Sequence, residues 1–300
     1  MAPREWAVLL ALSVLWGGSF LFIKVAAAEI PPLTLVLLRV SLAAAALLAA
    51  LRAAGVRLPL GRDALAAFAV MSILNNVVPF TLIVWGTARI DSGLAAILNA
   101  ATPLSTVIAA HLLTRDEKLT AAKAAGVVLG LCGVAAIVGV EALGGLGGDA
   151  AAQAAIVLAT VSYGFAGVFG RRFRRMGVAP AATAAGQLAA STLFLLPAAL
   201  VVDRPWTLPA PSAEAAGAVA GLALLSTALA YVLFFRVLAA AGATAVSLVT
   251  LLIPASALMM GAAMLGERPG PLDLAGLALI AAGLLVADGR VRLPRLDARQ

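Results

Sequence analysis

Arg39 is the residue whose chemistry most needs a partner. It follows Pro32 by seven residues inside an apolar run, about 11 Å along a helix at 1.5 Å per residue. All 14 carboxylates fall at the ends of apolar runs, in loops or in turns, so no buried acid faces it. A guanidinium in that setting either takes a substrate carboxylate bidentately, or bonds helix-end carbonyls and snorkels to an interface. Arg236, near the end of a later run, reads as a snorkelling anchor. Pro103 and Pro254 each sit mid-run, where a proline leaves the carbonyl four residues earlier without its helical donor. Those residues are Asn99 and Thr250, both polar. Thr102, Ser105 and Thr106 surround the first proline, and Ser247 and Ser256 the second. Either these groups line a polar path or they only patch two kinked helices. Asn75 and Asn76 act either as interhelical glue or as cavity lining. Trp16, Tyr163 and Tyr231 either wall a cavity or pack the bundle.

The same inventory excludes much chemistry. One histidine and one cysteine leave no cysteine metal cluster or disulfide framework, and only His111 for a Ser-His triad. His111 and Asp116 match the His-x-x-x-x-Asp spacing of some acyltransferases, with nothing else in support. Neither a Gly-x-Ser-x-Gly elbow nor a P-loop is present. No catalytic residue, metal or cofactor is assigned.

The elements carrying these residues are hydrophobic. Of 300 residues 63% are apolar and 12% charged, against about 25% charged in an ordinary soluble domain. A spanning helix needs roughly 20 residues, and apolar stretches fall at 6–27, 32–54, 64–88, 93–113 and 120–140, then at 151–170, 179–202, 213–240, 243–265 and 271–288. The expected fold is an all-α polytopic membrane protein of ten transmembrane helices. Residues 141–150 are glycine-rich and read as a linker between units 1–140 and 151–290, with a basic tail at 291–300. The run from Trp6 to Ile23 is longer than a signal-peptide core and reads as a retained first helix.

Basic residues give an orientation. With the N-terminus in the cytoplasm, that side receives Arg4, Arg52, Arg57, Arg62, Arg115, Lys118, Lys123, Arg171, Arg172, Arg174, Arg175, Arg290, Arg292, Arg295 and Arg299. The outside receives only Lys24, Arg89, Arg204 and Arg268. This asymmetry is the positive-inside rule and puts both termini in the cytoplasm. It also accounts for the net charge of +7 without a nucleic-acid partner. Trp6, Trp85 and Trp206 fall at helix ends, as an interfacial belt requires.

The two sets of runs repeat each other. Pro32 and Arg39 match Pro180 and Gln187, and Pro103 matches Pro254. Glu117, Gly126 and Gly133 match Glu267, Gly276 and Gly283 at identical spacing. Five helices per half is an odd number, so the halves are inverted, as in alternating-access transporters. The duplication, the mid-helix proline, the Leu265-Gly266-Glu267 turn and the glycine-rich helix after it resemble the EamA-type members of the drug/metabolite transporter superfamily. The first repeat departs from that pattern with Arg115-Asp116-Glu117 and one extra residue after Pro103. The resemblance implies secondary transport, commonly export of amino acids, other metabolites or drugs.

The expectation is a cell-membrane transporter of a small-molecule substrate, working around a midplane cavity at the paired proline breaks. The alternative is a translocator of lipid-linked carriers or drug-like compounds. With no acid in mid-span, facilitated diffusion or export down a gradient is favoured over tight proton antiport. No obligate protein partner is evident.

Overall fold

The computed structural model describes residues 3–115, 118–143 and 148–287; the side chains of residues 3–5, 137–149, 235–248 and 251 are not described. All its regular structure is helical. The helices are α1 (Pro3–Ala26), α2 (Pro32–Ala53), α3 (Arg62–Ser72), α4 (Val78–Thr87), α5 (Ser92–Asn99), α6 (Thr102–Leu113), α7 (Ala121–Leu143), α8 (Gly148–Arg175), α9 (Pro180–Val202), α10 (Ala213–Ala220), α11 (Ala230–Met260) and α12 (Pro271–Ala287). Wider π-helical segments join α3 to α4 at Ile73–Val77 and α10 to α11 at Gly221–Leu229, and a third follows α11 at Gly261–Leu265. Among the described residues seven continuous helical stretches, three of them running through two of these helices, are long and apolar enough to cross a membrane, and three shorter apolar segments lie at Ala121–Ala136, Leu252–Leu265 and Pro271–Ala287.

Prolines open α2 and α9 at equivalent positions, where a missing N–H costs nothing. Gly177 ends α8 at φ +67°, a left-handed conformation that side chains with a Cβ resist. Helix extends from both sides into the expected linker, to Leu143 and from Gly148. Glu141, Ala142 and Leu143 are good helix formers; residues 144–147 lie outside the described ones.

The halves interlock. Helix α1 packs on α10 and α11, while α8, its equivalent, packs on α4 and α6. Helices α2 and α9 pair, as do α7 and α12. In the last pair Gly126 meets the Gly283 backbone and Gly133 meets the Gly276 backbone. Since Gly126 corresponds to Gly276 and Gly133 to Gly283, each contact maps onto the other, and the two helices run antiparallel. Glycine lets the backbones touch where no side chain would fit.

Helix is assigned from Ala230 to Met260, and both of its described ends pack on α1. The Phe234 ring lies 5.6 Å from that of Trp16, while Ser256 and Ala257 abut the adjacent Gly17.

The proline breaks are unequal. Helix stops at Asn99 and resumes at Thr102 ahead of Pro103, and the Thr102 hydroxyl donates to the Asn99 carbonyl at 2.7 Å. Pro254 lies inside α11 without interruption. The paired break expected there does not form, because one lost hydrogen bond kinks a helix before it ends it.

Candidate functional site

A cavity of about 860 Å³ lies where the two halves meet, within the range of small-molecule sites. Trp16, Arg39, Asn75, Asn99, Thr102, Tyr163, Tyr231 and Thr250 line it. Pro103, Pro254 and Asn76 do not. The two prolines act on the backbone. Asn76 is fully buried, with Nδ2 donating to Ser191 Oγ at 2.9 Å on α9, so it ties helices together. Ser105 bonds Thr160 at 2.9 Å, Thr106 bonds the Thr102 carbonyl at 3.0 Å and Ser256 bonds the Ser13 carbonyl at 2.7 Å. Thr106 thus bonds within its own helix, whereas Ser105 and Ser256 tie α6 to α8 and α11 to α1. Ser247 and Arg236 lie outside the described side chains.

Arg39 is 6% exposed. Its Nε donates to Thr227 Oγ1 at 3.0 Å, and its guanidinium carbon stands 3.7 Å from the centre of the Phe80 ring. Tyr163 and Tyr231 line the same cavity. A desolvated cation–π contact contributes about 2 kcal/mol, and a hydrogen bond from a charged group about 1.5–3. Both together offset only part of the cost of removing a full charge from water. The terminal guanidinium nitrogens have no hydrogen-bond partner among the described residues.

Its counterpart makes the matching contact. Gln187 Oε1 accepts from Asn75 Nδ2 at 3.0 Å, so position seven after the helix-opening proline meets a π-helical residue of the other half in both repeats. The π segments place those partners. Pro79 removes the donor that the Asn75 carbonyl would use in an α-helix, and the chain widens over Ile73–Val77. Ser162 Oγ then serves the Leu74 carbonyl at 2.7 Å. In the other segment Thr227 itself donates to the Leu222 carbonyl at 2.8 Å while accepting from Arg39. Gln187, Ser226, Thr227, Phe80 and Phe234 also line the cavity. Of these only Gln187 carried a signal in the sequence, its register with Arg39. Two buried lining atoms, Asn99 Oδ1 and Ser226 Oγ, have no partner among the described residues.

One end of the cavity reaches Arg174, Gly177, Val178 and Pro180 around the α8–α9 turn. The opposite end of α9 lies on a face laced by three carboxylates, each capping a helix N-terminus of the other half. Asp203 accepts from Thr34 N at 2.7 Å and Thr34 Oγ1 at 2.9 Å. Glu29 accepts from Ser212 N at 2.7 Å and Ser212 Oγ at 2.6 Å. Glu267 accepts from Ser92 N and Oγ, both at 2.7 Å, and from Gly93 N at 3.1 Å. Lys24 adds a bond to the Ile90 carbonyl at 2.7 Å. Burial is absent at Glu29, and the two Ser212 hydrogen bonds hold its carboxyl below the ordinary 4.5. Glu117, the repeat equivalent of Glu267, lies outside the described residues.

His111, in the last turn of α6, holds the loop that follows it. Its Nδ1 accepts from Leu119 N at 3.0 Å, and its carbonyl accepts from Lys118 at 2.9 Å. Asp116 lies outside the described residues. Arg89 stands 4.1 Å from the centre of the Trp85 ring, and Trp206 is 68% exposed, both suited to an interface.

The EamA-like transporter family model matches residues 5–139 and again 151–287. The chain is 26% identical over 283 residues to the uncharacterized transporter YoaV of Bacillus subtilis, covering 93% of this chain and 94% of that one. It is 28% identical to the uncharacterized inner membrane transporter YedA of Escherichia coli K12, over 96% and 92% of the two chains. It is 30% identical to a probable terminal-alkyne amino-acid exporter of Streptantibioticus cattleyicolor, over 99% and 97%. A crystal structure of a protein 19% identical shares the fold at a TM-score of 0.66, covering 98% of this chain and 100% of that one. With two family matches across a chain of apolar helices, this is a multi-pass membrane protein belonging to the EamA-like transporter family.

Proposed function

We propose that the protein exports a small metabolite of the amino-acid class by alternating access around the Arg39 cavity. The observation that carries this reading is the cavity itself, lined by Arg39 and Gln187 from matching positions of the two halves. A site between inverted repeats can be exposed to either side by rocking one half against the other. The amino-acid class rests on the buried guanidinium and on the 30% identical relative named a probable terminal-alkyne amino-acid exporter.

The topology that goes with it has ten spans, from seven long helical stretches and three shorter apolar segments, with both termini in the cytoplasm. Arg171, Arg172, Arg174 and Arg175 then mark the cavity mouth as cytoplasmic. The Glu29, Asp203 and Glu267 latches close the outer face. In this reading the state described is inward-open, and outward opening requires the latches to part. The units 1–140 and 151–290 act as the two rocking halves. Among the described residues the carboxylates lie in these latches or at helix ends, so coupling to a mid-membrane proton relay is not part of the reading.

Counterflow in proteoliposomes tests it. Vesicles loaded with unlabelled amino acids and small metabolites should take up at least one labelled member of the pool well above protein-free vesicles. Absence of exchange across the pool would overturn the amino-acid reading and favour lipid-linked or drug-like cargo.

A further inference from the structure

Two equivalent walls of the cavity carry side chains of opposite size. Gly17 of α1 packs against Ser256 and the Ala257 backbone, and Gly164 of α8 against the backbone of Ser105 and Thr106. These matching contacts put the two helices in register, with Trp16 opposite Tyr163 in the repeat. One and two turns further on, Phe20 and Ile23 of α1 correspond to Gly167 and Gly170 of α8, and all four line the cavity. Because the halves are inverted, the two pairs extend from mid-cavity in opposite directions. Phe20 and Ile23 are buried and lead to the latch face, where Lys24 and Glu29 make their bonds. Gly167 and Gly170 lead to the mouth at Arg174.

Backbone and packing do not call for glycine at these two places. Glycine is the least favourable residue in a helix interior after proline, so its use there needs a reason. Neither residue has a positive φ. Among the described residues, a Cβ at Gly170 would meet only Met71 Cε at 3.6 Å, an ordinary contact. At Gly167 it would meet the Thr106 methyl at 3.3 Å, which a small shift relieves. At Gly164 it would strike the Ser105 carbonyl oxygen at 2.7 Å, so that glycine serves close helix approach. The missing side chains of Gly167 and Gly170 instead leave open space along about 10 Å of α8, from Tyr163 towards the mouth. Met71, Phe173 and Val178 give the same stretch apolar walls. It leads to Arg39, which is 6% exposed and whose terminal nitrogens have no partner among the described residues.

We infer that Gly167 and Gly170 are specificity-determining residues, whose missing side chains admit a cargo with a bulky apolar body to the Arg39 site. This deepens the transport reading above and rests on it only for the identity of the cavity as the cargo site. Phe20 and Ile23 occupy the same helical positions in the other half, so the fold accommodates large side chains there. An apolar side chain at either glycine therefore narrows the passage while the helix stands. The resulting selection is by size and not by charge: small solutes keep their access, and branched or ring-bearing ones lose it.

Thiol reagents of two sizes read the width of the passage whatever the cargo is. In a Cys132→Ser background, a cysteine introduced at Ser19, a cavity residue, is modified on the full chain in detergent. Methyl methanethiosulfonate is the small probe and benzyl methanethiosulfonate the bulky one. Gly170→Leu should slow the benzyl reagent at least tenfold and the methyl reagent no more than twofold, and Gly167→Leu should act in the same way. Gly217→Leu, at an exposed position with open space around it, should change neither rate. Gly170→Ala should hold or raise the unfolding temperature, whereas Gly164→Ala should lower it. If Gly170→Leu does not fold, Gly170→Ala should still slow the benzyl reagent about threefold. The inference is overturned if the benzyl rate is unchanged, if both reagents slow alike, or if Gly170→Ala destabilises as Gly164→Ala does. The transport reading fails separately. A size-selective block with no counterflow of any solute would keep the passage and remove the transporter. Counterflow whose range of solute sizes is the same in Gly170→Leu would keep the transporter and remove the inference.

Discussion

Glu267 and Ser92 lie 175 residues apart in the chain and share two hydrogen bonds of 2.7 Å, one through the backbone N–H and one through the hydroxyl. The carboxylate sits at the N-terminus of α5, where unpaired N–H groups and the helix dipole favour negative charge. Loss of a cap costs about 0.5–2 kcal/mol. Glu267→Gln and Ser92→Ala should each lower stability by about 1 kcal/mol, and together by less than their sum, because both remove one interaction. Chemical denaturation in detergent measures all three variants.

The α7–α12 contact predicts opposite outcomes for two glycines. A methyl at Gly126 would lie 2.5 Å from the Gly283 carbonyl oxygen, whereas at Gly217 it would meet nothing within 4 Å. Gly126→Ala forces two backbones apart and should destabilise by about 1–3 kcal/mol. Gly217→Ala, in an open helical position, should stabilise by up to about 1 kcal/mol. Thermal unfolding of the pair distinguishes this from a general intolerance of substitution.

Glu29 gives a pH dependence with a definite sign. Its native carboxyl is held below 4.5 by the Ser212 hydroxyl first and the Ser212 N–H second. A depressed native value means that the contribution is present above the unfolded value and is lost as pH falls through the native one. Stability should therefore drop more steeply below about pH 4.5 in the wild type than in Ser212→Ala. Equal acid limbs for the two proteins, measured by unfolding between pH 6 and 3, would contradict the latch at this position.

The all-helical, repeated architecture was legible because the bilayer imposes length and repetition on the sequence. Arg39 was legible for the same reason, since a guanidinium deep in an apolar run has few explanations. Its neighbours were harder. The π segment at Ile73–Val77 follows from Pro79, a residue whose effect is on the register of Asn75 and Asn76 rather than on helix length. That register sends Asn75 to the cavity and Asn76 to Ser191, a division that adjacent identical residues could not reveal. Thr227 and Ser226 sit in a π segment with no proline to announce it. Pro254 misled because its resemblance to Pro103 is one of position, while the outcome depends on whether the surrounding turns hold the helix together.

On the proposed orientation, outer-face accessibility follows from the latches. Asp203→Asn removes the charge that holds Thr34 and should favour the outward-open state. In a Cys132→Ser background, a cysteine introduced at Ser19, which lines the cavity, should react with an impermeant maleimide from outside several-fold faster when Asp203→Asn is present. An unchanged rate would separate the latch from gating.

The most direct measurement locks the latch face, the outer one on the proposed orientation, and asks whether exchange stops. Ser92→Cys and Glu267→Cys, introduced together in the Cys132→Ser background, can be joined by a short bifunctional thiol reagent across the Ser92–Glu267 contact. Alternating access predicts that the joined protein loses counterflow, that either single cysteine treated alike retains it, and that reductive cleavage of a disulfide-containing linker restores it. Full exchange by the joined protein would contradict the account.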